Sequence, residues 1–190
     1  MIKKEKRNKM AIIPITVYGD KILRQKTQAV KNVNDEIIEK IRNMFDTMRN
    51  AKGIGLAANQ VGYRESLFVI DLDGVEKYEK FKPVVMINPE ILLQSDEKSV
   101  VEEGCLSLPT LRADVERSER IKVRYMDTDE KEIEIEADDM FARVILHEYD
   151  HLIGKMIPDR VADDLKKKIK KELSNIMNRN VEIDYPITEV

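Results

Sequence analysis

The sequence predicts an α+β fold, with mostly antiparallel β-sheets packed around a central helix and one further helix at each end of the chain. Three observations carry that expectation. Early in the chain, apolar residues recur at helical spacing through Ile37, Ile38, Ile41, Met44, Phe45 and Met48. The middle, over residues 90–137, is rich in β-branched residues broken by short polar turns. From Asp138 the helical period returns and persists, after one interruption, to about residue 178.

In chain order, Asn34 is a suitable N-cap for the first helix, because its side chain can accept a hydrogen bond from an unpaired N–H of the first turn. Gly53 can end that helix in a left-handed conformation. The small-residue loop Gly53-Ile54-Gly55-Leu56-Ala57-Ala58-Asn59-Gln60 follows. Residues 66–71 read as a strand, as do residues 84–87 up to Asn88-Pro89. Ile121-Lys122-Val123-Arg124-Tyr125 alternates cleanly, and Thr128-Asp129-Glu130-Lys131 separates it from Ile133-Glu134-Ile135, a hairpin signal. Met140, Val144, His147 and His151 then form one row of a helix that Gly154 can stop. A last helix over residues 162–178 carries Lys166, Lys167, Lys168, Lys170 and Lys171 around Ile169. Its plain reading is a solvated face, and the alternative is a docking surface for an acidic partner.

No repeat or linker divides the 190 residues, so one domain over 1–190 is expected, with a basic flexible extension at 1–10 and a tail at 181–190. Hydrophobic residues make up 42% and charged residues 36%, the balance of a globular chain with a highly charged surface. A formal net charge of -3 gives no global field toward nucleic acid, and sequence-specific nucleic-acid binding is not expected. No apolar run approaches the roughly 20 residues that span a bilayer, and the basic N-terminus lacks the form of a signal peptide. One cysteine, Cys105, excludes an intrachain disulfide and suits a reducing compartment, so the expected location is the cytoplasm.

The sharpest feature is His147-Glu148-Tyr149-Asp150-His151, which contains the only two histidines of the chain. Positions i and i+4 share a helix face, so both imidazoles can reach one metal ion. The intervening Glu148 then stands close to any water the ion holds, where it can accept and return a proton. The bland alternative is a chance run of polar residues on an exposed helix. Two histidines do not complete a catalytic site, which usually has three protein ligands. With no third histidine, Cys105 and a carboxylate such as Glu172 on the last helix are the candidates. A lone cysteine is more often a packing residue than a ligand, and a Gly-Ile-Gly-Leu-Ala-Ala run more often a tight turn than a site. Two rival functions follow: a metallopeptidase with Glu172 as third ligand, or a metal-stabilised module that docks through its lysines. An intact Glu148 argues against the second, because a structural metal has no use for a general base.

Taken together, three segments resemble the peptide deformylases. Gly53-Ile54-Gly55-Leu56-Ala57-Ala58-Asn59-Gln60 matches that family's first motif, Glu103-Gly104-Cys105-Leu106-Ser107 its second, and His147-Glu148-Tyr149-Asp150-His151 its third, in the family's order. The resemblance covers roughly residues 13–171. Leu146 stands where the family usually has Gln, and Asn59 where it usually has Thr or Pro. The resemblance implies removal of the formyl group from the N-terminal formyl-methionine of new polypeptides. It implies that Cys105, His147 and His151 hold one divalent ion, Fe(II) in the cell with Zn(II), Ni(II) or Co(II) as substitutes. A water activated by that ion attacks the formyl carbon while Glu148 takes and returns its proton. The Gln60 amide and the Leu106 backbone N–H are implied to steady the developing negative charge. Ile54, Gly55, Val101, Glu103, Met140 and Val144 are implied to bind substrate, the four larger apolar ones around the methionine side chain. The partners expected are formyl-methionyl nascent peptides and, through Lys166 to Lys171, the ribosome.

Overall fold

The computed structural model describes residues 11–189, and the basic extension expected over residues 1–10 lies outside them. In chain order come α1 (Asp35–Asn50), β1 (Gly55–Ala57), β2 (Leu67–Ile70), β3 (Val84–Gln94), β4 (Lys98–Cys105), β5 (Leu108–Ser118), β6 (Arg120–Met126), β7 (Glu132–Asp138), α2 (Asp139–Leu152) and α3 (Asp163–Met177). The strands form a five-stranded sheet in the order β1-β2-β3-β6-β7 and a separate two-stranded sheet β4-β5. Every pairing among these strands is antiparallel. The expected α+β class is therefore what forms. Among the described residues, no helix is long and apolar enough to cross a membrane.

Helix α1 forms as its sequence dictates. The Asn34 side chain accepts from the Ile37 N–H at 3.0 Å, and Ile37, Ile41, Met44 and Met48 bury one face. Its end differs from expectation in one detail. Lys52, not Gly53, takes the left-handed conformation (φ 55), and the Gly53 N–H closes the turn on the Met48 carbonyl at 2.9 Å. Gly53 is required for a different reason. A Cβ there would meet Leu106 Cδ1 at 2.7 Å, so this glycine lets the end of α1 lie against the turn that follows β4.

Strand β3 also departs from expectation, because it runs on through Asn88-Pro89 to Gln94. The Asn88 side chain replaces the missing pairing: its Oδ1 accepts from the Val30 N–H and its Nδ2 donates to the Val30 carbonyl, both at 2.8 Å. Asn88 is left-handed (φ 51), and the register with β6 shifts between Ile87 and Glu90. The irregularity absorbs a proline that has no N–H to give to the ladder. The β6–β7 hairpin forms as read, its turn closed by Asp127 N–H to the Lys131 carbonyl at 3.0 Å.

The α2 helix lies between the two sheets and touches strands of both. Its core side packs Val144, Ile145 and Leu152 with Phe68, Ile70, Met86 and Val123 of the larger sheet. Gly154 (φ 73) stops it, as its position suggests. Helix α3 packs on β5 through Ile169, Leu173 and Ile176, all buried. After α3 the chain turns back, and Ile187 forms a parallel bridge with Ile15. Residues 181–189 thus lie against the body of the protein.

Candidate metal centre

The site is built from three local structures. The α2 helix supplies His147 and His151 one turn apart, with ring centroids 5.1 Å apart and planes inclined at 71°. Cys105 is the last residue of β4, where Leu106 and Ser107 make the tight turn into β5. The loop after α1 brings β1 and Gln60 to the same place. Among the described residues, Cys105, His147 and His151 are the one group of His, Cys, Asp and Glu side chains able to hold a metal, with donor atoms all within 4.8 Å of one another. Cys105 Sγ lies 3.2 Å from His151 Nε2. One thiolate and two imidazoles suit a borderline divalent ion. The buried, unpartnered Glu148 Oε2 beside them fits a water or substrate atom held at that point.

A buried charge network stands behind these donors. Glu103 Oε2 bonds His147 Nδ1 at 3.0 Å, which leaves Nε2 as the ring atom turned toward the centre. Arg117 grips Glu103 with Nε at 2.7 Å and Nη2 at 3.0 Å, and reaches Asp150 with Nη1 at 2.7 Å. Arg143 adds a bond to Glu103 Oε1 at 3.1 Å, and Arg160 pairs with Asp150. Burial alone would raise the Glu103 carboxyl, but its bonds from His147 and Arg117 prevail and hold its pKa at about 2. Glu103 therefore stays ionised and fixes the tautomer and orientation of His147.

Glu148 shows the opposite behaviour. Burial pushes its pKa up to about 7, against the opposing charges of His147 and Arg117. Gly55 permits this placement: a Cβ at residue 55 would collide with the Glu148 carboxylate and meet Val144 Cγ1 at 2.9 Å. Gln60 is oriented just as firmly. Its Oε1 accepts from the Ala57 N–H at 2.8 Å, so its Nε2 points to Ser107 Oγ at 3.1 Å and Cys105 Sγ at 3.5 Å.

These groups open into a cavity of about 520 Å³. Ile54, Gly55, Gln60, Val101, Glu103, Cys105, Leu106, Met140, Val144, His147 and Glu148 all line it, and His151 lies buried beneath. The sequence-predicted residues are thus brought together, with one refinement: the Glu103 carboxylate, expected among the substrate-binding groups, is turned to His147 and two arginines. Glu172 is not part of the donor set. It accepts from Thr110 Oγ1 at 3.2 Å and lies outside the group of mutually close donors, which is Cys105, His147 and His151, and this removes the reading with Glu172 as third ligand. Asn59, one of the departures from the family pattern, bonds the His151 carbonyl through Nδ2 at 2.6 Å. Leu146, the other, is buried, and its carbonyl faces Arg117 at 3.5 Å.

Sequence reasoning missed Arg117, Arg143 and the tail residues Ile183 and Tyr185. The arginines did leave a signal. Leu111, Ala113 and Val115 alternate inward along β5, and Arg117 is the next inward position. Arg143 stands four residues before His147, on the same helix row.

An α+β fold whose His-Glu-x-x-His helix meets a cysteine defines a metal-dependent hydrolase. Residues 12–168 match the family model described as polypeptide deformylase. A peptide deformylase of Chlorobium phaeovibrioides is 44% identical over 176 residues, covering 93% of this chain and 92% of that protein. The crystal structure of peptide deformylase from Thermotoga maritima superposes with a TM-score of 0.74 at 41% identity, over 80% of this chain and 98% of that one. A peptide deformylase from Synechococcus elongatus, in complex with actinonin, gives a TM-score of 0.78 at 39% identity, over 88% and 87%. This chain belongs to the peptide deformylase family.

Proposed function

We propose that this chain hydrolyses the formyl group from the N-terminal formyl-methionine of nascent polypeptides, with Cys105, His147 and His151 holding one divalent ion. The observation that carries the reading is the convergence of those three donors with a buried, unpartnered carboxylate oxygen of Glu148 at the head of one cavity. When bound, the ion supplies Lewis acidity to a water and to the formyl oxygen. Glu148, raised by burial into the range where it can both take and give a proton at neutral pH, accepts the proton of the attacking water. It returns that proton to the departing amine, so formate and a free methionyl N-terminus leave. The Gln60 amide, aimed by its bond from Ala57, and the Leu106 N–H are the donors for the charge that develops on the formyl oxygen. Ile54, Val101, Met140 and Val144 line the cavity as an apolar slot for the methionine side chain, and Gly55 lines it beside them.

The thiolate donor suits a soft or borderline ion, and the family reading makes that ion Fe(II) in the cell, with Zn(II), Ni(II) and Co(II) accepted by the same three ligands. A cytoplasmic place follows from the substrate, which is a growing chain. The lysines of α3, at positions 166, 167, 168, 170 and 171, are exposed while Ile169 is buried, a face suited to the ribosome's phosphates. The test of the reaction is turnover of a formyl-Met peptide beside its acetyl-Met counterpart by anaerobic, metal-quantified enzyme. Rapid deformylation with little deacetylation is expected. Equal rates on the two, or none on either, would overturn the reading.

A further inference from the structure

The family match ends at residue 168, yet the cavity has walls that come later in the chain. After α3, Arg179 adopts a left-handed conformation (φ 58) and the chain reverses. The returning segment is fastened at three places. The Ile15 N–H donates to the Pro186 carbonyl at 2.9 Å, and the Thr188 N–H donates to the Ile15 carbonyl at 3.0 Å. Thr188 Oγ1 donates to Asp20 Oδ2 at 2.6 Å, and Arg179 reaches both Asp20 Oδ1 at 2.6 Å and the Thr188 carbonyl at 3.1 Å. Lys52, at the end of α1, pairs with Asp184 at 2.6 Å. The exposed Lys52–Asp184 pair contributes little energy by itself. It lies at the residue between Ile183 and Tyr185, whose half-buried side chains face the body of the protein.

Those two side chains line the cavity. Burial alternates along the segment, with residues 181, 183, 185 and 187 half-buried and residues 182, 184 and 186 exposed, so the segment, which bends at Asp184 and Tyr185, turns Ile183 and Tyr185 inward. The Tyr185 hydroxyl donates to the Leu106 carbonyl at 2.9 Å, bracing the turn between Cys105 and Ser107. Leu106 is itself pressed against Gly53. Lys52, Leu106, Ile183 and Tyr185 are therefore linked to one another through the Lys52–Asp184 pair and the Tyr185–Leu106 bond, and all four line the cavity that also holds Val101, Met140 and Val144, assigned to methionine. A peptide whose methionine lies in that slot has to pass its following residue along another wall.

We propose that segment 181–189 is a specificity wall, in which Ile183 and the Tyr185 ring meet the side chain after formyl-methionine and favour an apolar one. The proposal rests on the deformylase reading above. In it, Tyr185 is also a positioning residue that acts through the Leu106 turn.

The test uses the full-length, metal-loaded enzyme with formyl-Met-Leu and formyl-Met-Glu peptides of equal length. Wild type should prefer the leucine peptide in kcat/KM. Ile183→Ala should lower that preference, and Ile183→Lys should lower it about ten-fold, the size of one apolar contact exchanged for a charge. Tyr185→Phe keeps the ring on the wall and removes the hydroxyl. It should leave the leucine-to-glutamate ratio in place while kcat falls several-fold with KM steady, as expected when an interaction made only in the transition state is disturbed. A uniform loss on both peptides in the Ile183 variants, with the ratio kept, would overturn the wall. A Tyr185→Phe enzyme with unchanged kcat would overturn the bracing role. Failure of the wild type to deformylate either peptide would strike the underlying reaction instead, and so is told apart from both.

Discussion

Helices α2 and α3 are nearly equal in length, 14 and 15 residues, and both are amphipathic, yet they put charge on opposite sides. Helix α3 buries Ile169, Leu173 and Ile176 and leaves its lysines in water, with only Lys166 paired among the described residues, to Asp163 at 3.1 Å. Helix α2 buries Arg143, Glu148, Asp150 and His151. A buried charge is costly unless it is paired and hydrogen-bonded, so α2 needs β4 and β5 to supply Glu103 and Arg117, while α3 needs only an apolar stripe. Charge turned outward tunes what a helix docks on. Charge turned inward is retained where a site needs it, and the buried α2 carboxylate oxygen left without a partner among the described residues, Glu148 Oε2, belongs to the group proposed to move the proton.

Substitutions on the two helices should therefore differ by orders of magnitude. Glu148→Ala should retain a full equivalent of metal and lose on the order of 10²–10⁴-fold in turnover, the range for removal of a general acid–base. Near-normal turnover with saturating substrate would mean that another group moves the proton and would dissolve the contrast between the helices. Arg117→Leu leaves Glu103 and Asp150 without their shared cation. It should cost about 2–3 kcal/mol of unfolding free energy, read by chemical denaturation, because the buried carboxylates lose charged hydrogen bonds while Arg143 still bonds Glu103 and Arg160 still pairs with Asp150. A loss below about 1 kcal/mol, the scale of a surface pair, would place this network with the exposed ones. Glu103→Gln keeps the shape but weakens the hold on His147, and metal affinity should fall roughly 10–100-fold in a competition assay with a chelator. At the small end, Lys167→Glu, Lys168→Glu and Lys171→Glu together should weaken ribosome co-sedimentation, most visibly at low salt, and barely touch turnover of a short formyl-Met peptide. Unaltered co-sedimentation would return α3 to a plain solvated face.

Much of α2 was legible in the sequence because its information is local. The i, i+4 histidines, the row through Met140 and Val144, and the stop at Gly154 all lie within one helix. Cys105 was legible only as part of a set of motifs, since its meeting with His151 depends on a hairpin turn 46 residues away. The extension of β3 past Asn88-Pro89 was hidden for the same reason. A side chain pairs with the Val30 backbone there, and no local pattern announces it. The glycine after α1 was placed correctly and explained wrongly, because the contact that requires it is with Leu106 and not with its own helix. The returning tail was the least legible part, since Ile187 finds its partner in Ile15 at the other end of the chain.

Cys105 as the third metal donor is the point on which the proposed site turns. The direct measurement is metal content per chain together with turnover of a formyl-Met peptide, on the same anaerobic samples of wild type and Cys105→Ala. Both should fall together, because two imidazoles alone do not complete the site. A Cys105→Ala enzyme that keeps one tightly held equivalent of metal and turns over normally would contradict that role for Cys105.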